Sequence, residues 1–247
     1  MRFKINIMLV LGIVLLFGSC RKEQWNDCFT SYGAIGKEKR IIPDFTRLVV
    51  GDNFHIVLTQ DTTQPTFVEF SGGKNMFDGI ETDVKNGYLT ITNRNRCNFV
   101  RDYKKIITIT INAKHLNAIN LTSASDITCS DTLQLKYLNI NHAAVSDVVL
   151  KVNLDEVSVN SVNSGSTTLI GKARVLKGSI EEVSNLDAAQ LNCEEVLIDS
   201  HTAWNCTINA SKIIYVRIYN SGNIYYLNEP AFKELNVRTG KGDLIKK

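Results

Sequence analysis

Residues 137–161 read YLNINHAAVSDVVLKVNLDEVSVNS, and the two ends of this stretch repeat each other. Leu138-x-Ile140 is answered 19 residues later by Val157-x-Val159. Between them a polar run leads to Ser146-Asp147-Val148, a small residue, an acidic one and an apolar one. Apolar residues two apart place one face of a strand inward, and Asp behind a small residue suits a tight turn. Outward in both directions the doublet recurs at Ile119/Leu121, Gly178/Ile180, Val196/Ile198, Val216/Ile218 and Leu235/Val237. The second members of the seven doublets step by 19, 19, 21, 18, 20 and 19 residues. The turn returns as Ser125-Asp126-Ile127, Ser184-Asn185-Leu186, Gly222-Asn223-Ile224 and Gly242-Asp243-Leu244, and more loosely as Gly165-Ser166-Thr167 and Trp204-Asn205-Cys206.

A unit of this length with two or three short strands cannot bury its own apolar face, so the units must stack, one coil each, into an all-β parallel solenoid over residues 116–247. Stacking puts equivalent positions about 4.8 Å apart, with Leu121, Ile140, Val159, Ile180 and Ile198 expected in one file. Leucine-rich repeats would need a fixed Leu/Asn framework with helical returns, and helical solenoids a longer period. Upstream, Val49-Val50, Phe54–Leu58, Phe67–Phe70, Ile80–Val84, Tyr88–Ile91 and Ile106–Ile111 also read as strands, and Asn86-Gly87 is a hairpin signal. These strands are placed to cap the first coil, which an open solenoid end requires. No linker divides them from the repeat, so residues 30–247 read as one domain without a helix.

The address lies in the first 20 residues. Arg2 and Lys4 precede an apolar stretch, Ile5–Phe17, too short to span a bilayer, and Gly18-Ser19-Cys20 follows. Residues 1–19 therefore read as a lipoprotein signal peptide, Cys20 as the lipidated first residue, and 20–29 as a tether. Phe17 departs from the commoner aliphatic residue of such a lipobox. An anchor of three acyl chains holds far more firmly than one, which places the chain at the outer membrane on an unassigned face. Five cysteines remain, an odd number in a compartment that permits disulfides. Cys28 precedes the fold and Cys97 lies in a polar loop, so these two are paired here. Cys129 falls at an apolar repeat position, where a free thiol is a small hydrophobe.

Composition narrows the function. Of 247 residues, 44% are hydrophobic, enough for a substantial core. Removing Arg2 and Lys4 from the 28 basic residues leaves 26 against 25 acidic ones, which excludes the basic field of a nucleic-acid binder. No phosphate loop, nucleophile elbow or zinc spacing occurs, and no cofactor or metal is implied.

The whole pattern resembles a known family. A lipobox Cys, an early second Cys, Asp44-Phe45-x-x-Leu48-Val49-Val50-x-Asp52-Asn53 leading into Ile56–Gln60, the loop Asn93-Arg94-x-Arg96-Cys97-Asn98-Phe99-Val100-Arg101, and Ser125-Asp126-Ile127 are similar to the head GIN domain family of auto-transporter adhesins, exported lipoproteins of Gram-negative bacteria. The resemblance implies a right-handed parallel β-helix and an adhesive role, supports the Cys28–Cys97 pairing, and carries no catalytic residue across.

Three constellations merit weighing. Glu181 and Asp199, each directly after an apolar doublet residue, with Glu182 and His201 close by, offer the paired carboxylates of a polysaccharide-cleaving β-helix; a solvated face gives the same pattern without activity. The column Asp126, Asp147, Ser166, Asn185, Asn205, Asn223 and Asp243 could ligate Ca²⁺, but Asn and Ser in it fit turns that bond backbone N–H groups. His55, His115 and His142 are isolated in sequence. The cluster Arg94, Arg96, Phe99, Arg101, Tyr103, Lys104 and Lys105, opposed only by Asp102, is a candidate patch for anionic glycan or lipid head groups. The leading reading is a non-enzymatic, membrane-anchored solenoid that binds a surface glycan or protein. Its rivals are a polysaccharide-active enzyme and a structural envelope component that self-associates by end stacking.

Overall fold

The computed structural model describes residues 31–95 and 106–247. Twenty strands follow in order: β1 (Ile35–Ile41), β2 (Arg47–Val50), β3 (His55–Thr59), β4 (Phe67–Gly73), β5 (Ile80–Lys85), β6 (Tyr88–Asn93), β7 (Thr108–Asn112), β8 (Ala118–Leu121), β9 (Asp126–Cys129), β10 (Leu133–Gln134), β11 (Tyr137–His142), β12 (Asp147–Ser161), β13 (Ser166–Glu182), β14 (Asn185–Asp187), β15 (Leu191–Thr202), β16 (Cys206–Ile208), β17 (Ala210–Ile218), β18 (Ile224–Tyr226), β19 (Phe232–Arg238) and β20 (Leu244–Lys246). From β8 onward each strand pairs in parallel with the strand one repeat away, giving a β-solenoid of about 7 turns. The doublets are not isolated strands: β12 and β13 run for 15 and 17 residues through a corner of the coil.

The predicted file of apolar residues is two adjacent files. Ile140 lies beside Ile119, not Leu121, and the file continues through Val159, Gly178, Ile198 and Val216. Leu121 and Ile180 belong to the next file inward, which runs Leu121, His142, Ser161, Ile180, Ser200 and Ile218, all fully buried. The shift has two sources: Leu121 pairs with His142, so the first repeat is longer than its doublet spacing suggests, and Val159 pairs with Gly178, so Ile180 falls beside Ser161. His142 takes the inward place that an apolar residue was expected to hold, and its ring nitrogens meet Thr167 Oγ1 at 3.1 Å and Ser146 Oγ at 2.9 Å. A buried imidazole with both nitrogens occupied is a satisfied core group, and burial pushes its pKa down from the ordinary value.

The N-terminal strands do cap the solenoid, by a route out of chain order. β2 lies between β6 and β8, and β3 between β7 and β9, all in parallel. Leu48 thus stacks on both Leu89 and Ile119, extending the core file by two rungs. The exposed edges of that last rung are closed by antiparallel strands, β5 on β6 and β4 on β7, with β1 outermost on β4. Asn86 and Gly87, both at positive φ, turn the β5–β6 hairpin. A 3₁₀ turn at Lys74–Gly79, a departure from the helix-free expectation, drops Met76 and Phe77 into the open end of the core. Arg40 fastens this lid: its guanidinium lies 4.5 Å from the Phe70 ring centroid and donates to the carbonyls of Ile80, at 2.5 Å, and Phe77, at 2.9 Å. At the opposite end β19 and β20 pair on one side only, and Lys233, Glu234 and Lys246 stand exposed there, charges that discourage edge pairing.

Candidate ligand-binding face

Because inward residues alternate with outward ones, the register that builds the core also fixes what the surface displays. On the sheet made by β8, β11, the second halves of β12, β13 and β15, and β17, the outward file beside the core reads Asn120, Asn141, Asn160, Ser179, Asp199, Arg217 on successive rungs. Its neighbour reads Asn139, Ser158, Lys177, Leu197, Tyr215. Asn141 donates to Asn120 Oδ1 at 2.7 Å and Asn160 to Asn141 Oδ1 at 3.0 Å, so the amides lock one another into a ladder. Arg217 grips both carboxylate oxygens of Asp199, through Nε at 2.5 Å and also through Nη2. Lys177 reaches back one rung to Glu156 at 2.8 Å. The result is a flat strip of short polar side chains, with a shallow depression of about 280 Å³ bordered by Ser158, Asn160, Lys177, Tyr215 and Arg217.

The acidic trio proposed from sequence lies on the edge of this strip. Glu181 pairs in register with His201, whereas Asp199 pairs with Ser179 on one side and Arg217 on the other, so the two carboxylates sit diagonally and not face to face. Glu181 accepts from Ser179 Oγ at 3.2 Å. The His201 ring stacks on Tyr219 with centroids 4.1 Å apart and planes 5° from parallel. Asp199 is therefore committed to a bidentate ion pair and His201 to a stack; what the trio displays is a planar aromatic surface beside a neutralised carboxylate.

At three of the turns the side chain bonds the rung above, whereas Asn185 Oδ1 is buried without a partner among the described residues. Asp126 Oδ1 accepts from the Asp147 N–H at 3.0 Å, Asn205 from that of Asn223 and Asn223 from that of Asp243, both at 2.9 Å. These oxygens serve backbone donors, the turn role weighed above. Arg94, the described member of the basic cluster, is ion-paired with Glu81 at 3.0 Å. Arg96, Phe99, Arg101, Tyr103, Lys104 and Lys105 lie outside the described residues, as do Cys20, Cys28 and Cys97. Cys129 is half-buried, with Sγ accepting from the Lys151 N–H at 3.0 Å, and Cys193 and Cys206 are buried free thiols whose pKa values burial pushes up to about 12 and about 11. The amide ladder was not singled out from sequence, although Asn120, Asn141 and Asn160 recur at the repeat spacing, the signal that could have exposed it.

Comparison with known proteins agrees with this architecture. No curated protein matches the chain. Among solved structures, a putative adhesin from Bacteroides fragilis is similar over 87% of this chain and 97% of its own, with a TM-score of 0.77 at 23% identity. A putative lipid binding protein from Parabacteroides distasonis (87% and 97% covered, TM-score 0.64, 18% identity) and a putative adhesin from Parabacteroides merdae (88% and 98%, 0.64, 16%) share the fold. The family model described as putative auto-transporter adhesin, head GIN domain, matches residues 44–230, and the chain belongs to that family.

Proposed function

We propose that this chain is a lipid-anchored adhesin of the outer membrane that holds an extended surface glycan or protein along the flat outward strip. The observation that carries the reading is the amide ladder with its continuation through Ser179, Asp199 and Arg217: short, rung-matched, mutually fixed polar side chains that cost little entropy to order against a ligand. Tyr215 and the His201–Tyr219 stack supply flat apolar surface at one end, the usual complement to a sugar ring. Family membership supports an adhesive role and an envelope location. The leader, and the lipobox ending at Cys20, support anchoring by lipid. Among the described residues no helix is long and apolar enough to cross a membrane.

A glycan and surface-protein array probed with the soluble form lacking residues 1–20 tests the reading. Binding to a defined ligand that is lost in Asn141→Trp, where a bulky ring blocks the strip, supports it; a ligand bound equally well by that variant overturns the assignment of the face. Cys20→Ser is expected to move the protein out of the membrane fraction, and unchanged membrane association contradicts the anchor. A panel of acidic and neutral glycans incubated with the protein, with and without Ca²⁺, is expected to remain uncut.

A further inference from the structure

Around the corner from the flat strip runs a second file of outward polar residues: Gln134, Asn153, Lys172 and Asn192 in successive register, continued by Asn209 and Asn228. Wherever amides are neighbours they bond one another. Asn153 donates to Gln134 Oε1 at 2.7 Å, Asn209 to Asn192 Oδ1 at 3.1 Å, and Asn228 to Asn209 Oδ1 at 2.6 Å. Lys172 interrupts the ladder, and the interruption leaves a specific set of groups unused. Asn153 Oδ1 accepts no protein donor, Asn192 Nδ2 donates to no protein acceptor, and Lys172 makes neither ion pair nor hydrogen bond among the described residues.

Three basic residues near Lys172 are, by contrast, held by carboxylates. Arg174 holds Asp155 at 2.6 Å, Lys177 holds Glu156 and Lys212 holds Glu194, each at 2.8 Å. The three unused groups line a groove of about 380 Å³ together with Ala173, Cys193 and two charged residues already held in ion pairs, Arg174 by Asp155 and Glu194 by Lys212. The Cys193 thiol, with its pKa at about 12, stays neutral and adds no negative charge.

An acceptor, a cation and a donor on three consecutive rungs, spaced about 4.8 Å apart, match the outline of a sugar acid: one carboxylate with hydroxyls to either side. We propose that this groove binds a uronate-containing polysaccharide, its carboxylate held by Lys172 and the Asn192 N–H, a flanking hydroxyl donating to Asn153 Oδ1, and the next sugar following the Asn209–Asn228 amides. A charge-assisted bond to an otherwise unpaired ammonium is the strongest single contact available in the groove. The inference adds a ligand class to the adhesin reading and rests on it only for a binding role; the flat strip is a separate surface.

The test uses the mature chain in detergent micelles and three uronate polymers: polygalacturonate, alginate and hyaluronan. Dextran and methyl-esterified polygalacturonate serve as neutral controls, with affinity read by calorimetry. At least one uronate polymer is expected to bind, with about tenfold loss of affinity in Lys172→Gln, weaker binding to the ester than to the acid where galacturonate is the ligand, and an unchanged melting temperature. Asn192→Ala should weaken the same ligand. Failure of all three polymers to bind, or binding that Lys172→Gln leaves intact, overturns the proposal. Asn141→Trp keeps the two surfaces distinguishable: uronate binding should survive it, while loss of every array ligand on that variant alone speaks only to the flat strip.

Discussion

Gly171 combines two barriers to any side chain, a positive φ and a backbone neighbour at close range. It sits at φ +117°, and a Cβ there would lie 2.2 Å from the carbonyl oxygen of Val152, its partner on the preceding rung. That oxygen belongs to backbone fixed on both sides, so it cannot withdraw. Gly171→Ala must therefore either strain its own φ, at about 1–3 kcal/mol, or push the rungs apart and lose about 1 kcal/mol per ladder bond. A total near 3 kcal/mol is expected, which for a chain of this size lowers the melting point by about 6–12 °C. Two comparison variants make the reasoning specific. At Gly178 the added methyl would meet Ile198 Cδ1 at 2.7 Å, the tip of a side chain that can rotate away, so about 1 kcal/mol is expected. At Gly51 nothing lies within 4 Å, and alanine should be neutral or slightly stabilising. Thermal melts followed by circular dichroism at one scan rate check the order Gly171, Gly178, Gly51. A Gly171→Ala protein melting within 2 °C or so of the parent, or below-parent stability for Gly51→Ala matching that of Gly171→Ala, would refute the argument.

Two further consequences concern stability. His142 is held neutral by burial, with Asp126 and Asp147 opposing the shift less strongly, so its folded pKa lies below the ordinary value near 6.5. Below pH 6.5 the unfolded chain takes up a proton that the folded chain refuses; stability therefore falls as pH drops through that value toward the folded pKa. His142→Gln should flatten this decline between pH 7 and 5, and an unaltered slope would contradict it. Arg40→Ala should cost about 1–2 kcal/mol, since it removes the guanidinium donors to the carbonyls of Ile80 and Phe77, the latter keeping the Ile80 N–H, and uncovers the Phe70 ring. Hydrogen exchange should quicken in β4 and β5 before it does in β12 and β13.

What could be read from the residues depended on whether the signal was local. The period was plain because apolar doublets and Asx turns recur within each unit. The register was misread by one doublet position at several units: hydropathy matched Leu121 to Ile140, Val159 to Ile180 and Ile198 to Ile218, while their true partners are His142, Gly178 and Val216. Polar residues in the interior, His142, Ser161 and Ser200, are invisible to a rule that sorts by hydrophobicity; rung geometry puts all three inside, where His142 finds Thr167 and Ser146 while the hydroxyls of Ser161 and Ser200 meet no partner among the described residues. The insertion of β2–β3 between rungs that come later in the chain is a non-local pairing with no local mark. For the surface, the basic cluster attracted notice because its charges adjoin in sequence. The amide ladder and Lys172 are dispersed at intervals near 19 residues and become sites only when the coils are stacked.

Everything above depends on equivalent residues being separated by whole numbers of rungs. Pairs of spin labels measure this directly. With native cysteines replaced, one label at Asn139 and the second at Leu197, Tyr215 or Glu234 spans three, four and five rungs of the outward file. Backbone separations of about 14, 19 and 24 Å follow from the strand spacing, so the peak distance should rise by about 4.8 Å at each step. Distances that fail to climb in that sequence, or that scatter without relation to rung number, would contradict the stacked architecture and the binding surfaces read from it.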